Sequence, residues 1–112
     1  MIHGAAVAWI WLAAAILSEV AATSALKLSD GLSRPVWVLA SALGYTASFG
    51  CLALAFRHVP LSIAYAIWAG AGIALVTCIS FVAFGERPSA QALAGIVLIV
   101  AGILVLRLSP GA

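Results

Sequence analysis

The chain of 112 residues is 66% hydrophobic and only 7% charged, with five Lys and Arg against three Asp and Glu. A water-soluble domain carries about 25% charged residues to cover its surface, so this composition calls for lipid as the solvent. The formal net charge of +2 is scattered, with no basic run to track a phosphate backbone, and nucleic acid is set aside as a partner.

The first apolar segment runs from Ala5 to Leu26, long enough for a spanning helix, which needs ~20 residues. A cleaved signal peptide is the rival reading. No Lys or Arg precedes the segment, the run exceeds the usual signal core of about 7–15 residues, and it holds a Glu, so a retained span is expected. That residue, Glu19, is the only acidic group inside any apolar segment; Asp30 and Glu86 fall in connections. A charge at membrane depth costs ~3 kcal/mol or more, and such residues usually face a bundle interior or a cavity on an ion or substrate path. The plainer alternative is a protonated Glu making one interhelical hydrogen bond, a role that Gln or Ser could fill. Helical spacing puts Leu12, Ala15, Ile16, Ala22, Thr23 and Leu26 on the same face as Glu19. Its small and polar members point to a face that meets protein or a cavity.

The second segment, Val36 to Phe56, and the third, Leu61 to Phe84, offer partners for that carboxylate. Ser41, Tyr45, Ser48 and Phe49 recur at helical spacing, and Tyr65 and Trp68 lie one turn apart. An aromatic face attracts a cation too diffuse to demand tight hydration, and a nearby carboxylate neutralises its charge where the dielectric is low. Read singly, Tyr45 and Tyr65 are interface residues and Trp68 is packing; read with Glu19, they outline a site for a greasy cation. Gly70 and Gly72 remove side chains where the third segment could bend.

The fourth segment, Ala90 to Leu108, ends on Arg107, which can snorkel to the headgroups. Gly95 and Gly102, with Ala94 and Ala101, form small faces that would let two such helices approach closely as a dimer contact. The connections Lys27–Pro35, Arg57–Pro60 and Gly85–Ser89 are too short for a helix to skip its neighbour, so the order is up-down-up-down. The expected fold is therefore an all-α membrane protein with a single domain of four transmembrane helices. Pro35, Pro60 and Pro88 sit at or beside helix starts, and Trp9, Trp11 and Trp37 lie near segment ends. Cys51 and Cys78 fall inside spans, away from metal-ligand spacing, and His3 and His58 lie near segment ends without a nucleophile beside them. No metal, cofactor or enzymatic activity is expected.

The runs "SEVAATSALKLSDGLSR", "GYTASF", "IAYAIWAGAG" and "FGERPS" together resemble the small multidrug resistance family of bacterial transporters, over nearly the whole chain. The resemblance implies a protomer in the inner membrane that works as an antiparallel, dual-topology homodimer. In such a pair the two first-helix glutamates share one site for protons and cationic drugs. Matched residue by residue, it implies that Glu19 binds proton and cation, and that Tyr45, Phe49, Tyr65 and Trp68 make the aromatic surface. Ala15, Ala22 and Thr23 line the glutamate helix, Ser48 stands among the substrate-binding residues, and Gly70 with Gly72 takes the hinge role. The family's guanidinium branch has "EVxW" where this chain has "EVAAT", with Trp in place of Ala22 and Gly in place of Ala15. The match is therefore to the quaternary ammonium branch and to multidrug efflux by proton antiport. A guanidinium or small-polyamine exporter, or one subunit of an unequal pair, is the alternative.

The charges bear on that last point. Arg57 and Arg107 lie on one side of the membrane against Lys27, Arg34 and Arg87 on the other, so a chain this evenly balanced is expected to insert both ways. Opposed copies would build from two chains the inverted repeat that transporters often carry within one. Two other classes fit less well. Rotor proteolipids of ATP synthases resemble two-helix hairpins with the carboxylate in the second helix. In a membrane subunit without transport, Glu19 would be a structural hydrogen bonder.

Overall fold

The computed structural model describes residues 2–110, without the side chains of Ile2, His3 and Ala5. They form four helices: α1 (Ile2–Leu28), α2 (Pro35–Ala55), α3 (Leu61–Ala83) and α4 (Ala90–Arg107). Their apolar spans of 23, 21, 23 and 18 residues are long enough to cross a membrane. At 1.5 Å per residue even α4 reaches about 27 Å, close to the ~30 Å hydrocarbon core.

The helix boundaries follow from local chemistry. Pro35 opens α2 at a position where its missing N–H breaks no bond, and Pro60 stands at the N-cap of α3. The Ser89 hydroxyl caps α4 by accepting the Ala92 N–H at 3.0 Å. Gly85, at φ 70°, takes the left-handed conformation that stops α3 just beyond its C-cap Phe84. The α1–α2 turn is less ordinary, because Asp30, Gly31 and Leu32 are all left-handed, at φ 50°, 68° and 69°. The fully buried Ser29 holds them there. Its hydroxyl donates to the Leu26 carbonyl at 2.7 Å and accepts the Leu32 N–H at 3.2 Å, and its own carbonyl accepts the N–H groups of Ser33 and Arg34.

The helices stand in a row, α2 against α1, α1 against α3 and α3 against α4, in a slab of 45 × 35 × 17 Å. The α1–α2 seam is the closest. In one half of it Ala8, Leu12 and Ala15 meet Leu52, Ala55 and Val59, with Ala64 and Ile67 of α3 completing the core. In the other half a Cβ added at Gly44 would lie 2.8 Å from the Ala22 Cβ and 3.2 Å from the Ser18 carbonyl oxygen, so only glycine allows this approach. No residue of α4 is buried. It rests on α3, where Ile99 and Ile103 fill the space left by Gly70, and its end is tied to α1 by the Arg107 guanidinium, 4.2 Å above the Trp9 ring. Gly4 abuts His58 at that same end of the row, as up-down order requires.

Candidate functional site

The face of α1 that carries Glu19 turns inward as its small and polar residues suggest. Leu12, Ala15 and Ala22 are buried, Ile16, Glu19 and Thr23 are half-buried, and only Leu26, near the helix end, is exposed. Thr23, one turn beyond Glu19, donates its hydroxyl hydrogen to Glu19 Oε1 at 2.8 Å. That hydrogen being spent, the 2.7 Å contact between Thr23 and Tyr45 is one in which the phenol donates. A chain from α2 through Tyr45 and Thr23 thus fixes one carboxylate oxygen. The other, Oε2, is buried without a hydrogen-bond partner. It lies against Gly72 at the middle of α3, where an added Cβ would stand 2.5 Å away.

Beside this oxygen lies a cavity of about 330 Å³ between α1 and α3. Glu19 and Thr23 form one wall, and Trp68, Ala69, Gly72, Ile73, Val76 and Thr77 form the other. The second wall is a single helical stripe, the i, i+3, i+4 continuation of the Tyr65–Trp68 pair. Sequence reasoning stopped at Trp68 because the residues beyond it, Thr77 apart, are small or apolar and look like any lipid-facing row.

The other aromatics gather around Trp68. Its ring centroid lies 5.8 Å from that of Phe49 and 5.5 Å from that of Tyr65, tilted to both. Phe49 and Tyr65 are 56% and 54% exposed and do not line the cavity, so they extend the aromatic surface outward. The indole is tethered through Nε1, which donates to the Ser48 hydroxyl at 3.4 Å. Ser48 is fully buried and donates to the Ala15 carbonyl at 2.7 Å. Ala15 itself is sealed in the α1–α2 core and presents no surface to the cavity. Of the remaining expected residues, Gly72 abuts the carboxylate and Gly70 packs on α4. Gly95 and Gly102 have nothing within 4 Å of an added Cβ. The described residues hold no group of His, Cys, Asp and Glu that could bind a metal ion.

Residues 7–99 match the family described as Small Multidrug Resistance protein. The chain is similar to the quaternary ammonium compound-resistance protein QacF of Klebsiella aerogenes, at 46% identity over 89% of this chain and 91% of that one. It is similar to the multidrug transporter EmrE of Escherichia coli, at 41% identity over the same shares. The spermidine export protein MdtI of Salmonella arizonae matches at 38% identity over 96% of this chain and 94% of its own length. These relatives differ in the substrates their names carry, yet each aligns with most of the four spans. The chain accordingly belongs to the small multidrug resistance family of bacterial plasma-membrane transporters and is not an enzyme.

Proposed function

We propose that this protein is a proton-coupled antiporter that exports lipophilic and quaternary ammonium cations, with Glu19 taking a proton and a cation by turns. The observation that carries this reading is the Glu19 Oε2 atom, buried without a partner beside a largely apolar cavity edged by Trp68. A carboxylate out of water with no basic residue near it requires a positive charge to neutralise it. A proton and an organic cation each supply one, at the same oxygen, so they exclude each other. Thr23 and Tyr45 aim the carboxylate, and Trp68, extended by Phe49 and Tyr65, offers a π-face to the cation. Ser48, braced on the carbonyl of Ala15, keeps the indole in place.

The working unit in this reading is an antiparallel homodimer. Three features support it: the near balance of Arg57 and Arg107 against Lys27, Arg34 and Arg87, a cavity walled by only two helices, and an α4 with no buried residue. Gly95 and Gly102 give the second copy its contact on α4. Bending of α3 at Gly70 and Gly72, differently in the two copies, opens the site to one side at a time. A second reading, polyamine export, is favoured by the similarity to MdtI.

The test is Glu19→Gln. The variant should fold and dimerise, yet release no protons when a quaternary ammonium compound is added in detergent. It should also drive no cation uptake into inverted vesicles under a pH gradient. Uptake at the unmodified rate would leave Glu19 a structural hydrogen bonder.

A further inference from the structure

Beside the indole and carboxylate that would serve a quaternary ammonium ion, the cavity carries polar groups that such an ion cannot use. A hydroxyl has one hydrogen to donate and two lone pairs to accept with. The Thr77 hydroxyl spends its hydrogen on the Ile73 carbonyl at 2.7 Å, so it meets the cavity as an acceptor only. Thr23 is likewise committed, donating to Glu19 and accepting from Tyr45.

Their placement along the cavity matters as much as their chemistry. Thr77 lies five residues beyond Gly72, the residue that touches Glu19 Oε2, and so about 7.5 Å further along the helix axis. Thr23, a turn beyond Glu19 on the parallel α1, stands at the same end, and Trp68, a turn before Gly72, at the other. The cavity thus offers an indole, then a carboxylate, then hydroxyl acceptors. A fully substituted ammonium has no N–H and can use only the first two. A monoamine seated on Glu19 has no donor left that reaches Thr77.

The geometry points to Thr77 as a specificity residue for linear alkyl diamines, one nitrogen resting on Glu19 and the other donating an N–H to the Thr77 oxygen. This rests on the reading of Glu19 as the cation site.

The test is calorimetric binding to the full-length protein in detergent with three probes: diaminobutane, butylammonium and tetraphenylphosphonium. The unmodified protein should bind diaminobutane about tenfold more tightly than butylammonium, the scale of one hydrogen bond from a charged donor. Thr77→Val should erase that advantage and leave tetraphenylphosphonium unaffected, while Thr77→Ser keeps it. Equal affinity for the two amines, an advantage that survives Thr77→Val, or equal weakening of all three probes would overturn the assignment. Glu19→Gln should abolish all three, and if it binds them normally the underlying reading of the site fails instead.

Discussion

A missing methyl group decides where the Glu19 carboxylate rests. Any side chain at position 72 would occupy the space of Oε2, so Gly72 sets how closely the end of the Glu19 side chain can lie against α3. Gly72→Ala should push the carboxylate off α3 at a cost of about 1–3 kcal/mol, typical of an overpacked interior. Both the thermal midpoint of the unliganded protein and its cation affinity should fall; a variant unchanged in both would mean that the carboxylate is free to move aside. Glu19 itself was legible in the sequence, since it is the only acidic residue within a span. Its polar company was legible in part. The spacing of Thr23 and Tyr45 brought them near, but the direction of their hydrogen bonds was not readable, because it depends on which donor is already spent. The contact of Gly72 with the carboxylate was not readable in one dimension, since a glycine that permits bending and one that permits contact look identical in a sequence.

Among the elements, the α1–α2 seam shows how small residues act in pairs. Ala22, which marks the match to the quaternary ammonium branch, is also fixed by packing, since a Trp there would collide with Gly44. Gly44→Ala should separate the two helices and destabilise the fold by about 1–3 kcal/mol. The double variant Ala22→Gly with Gly44→Ala should recover part of that loss, the close approach to the Ala22 Cα and the Ser18 carbonyl remaining, as measured by loss of helical signal on heating in detergent. Equal destabilisation by the single and double variants would show that the contact is not specific. Hydropathy, with the proline positions, anticipated four helices long and apolar enough to span, because burial in lipid acts on every residue of a span. The Ser29 turn was not legible: nothing local to "LSDGLSR" announces that Asp30 and Leu32 share a left-handed conformation ordinarily left to glycine. A buried hydroxyl that bonds both ways holds them there, and that burial is a tertiary fact.

At the scale of the molecule, the row of helices has one well-filled seam and one barely covered helix, and the charges at its ends are nearly balanced. Tags at either end of the chain should therefore be found on both faces of the membrane, and one added Lys beside Arg57 or Arg87 should shift the proportions. A chain that always points the same way would exclude the antiparallel homodimer and call for a partner of opposite bias. The unpartnered oxygen of Glu19 reaches further than transport. A buried acceptor without a hydrogen bond costs the folded state about 1–3 kcal/mol, and a leucine in its place would bear no such penalty. Empty, the transporter should therefore melt at a lower temperature than its Glu19→Leu variant, which binds no cation. Selection for robustness alone would erase such a weak point in α1.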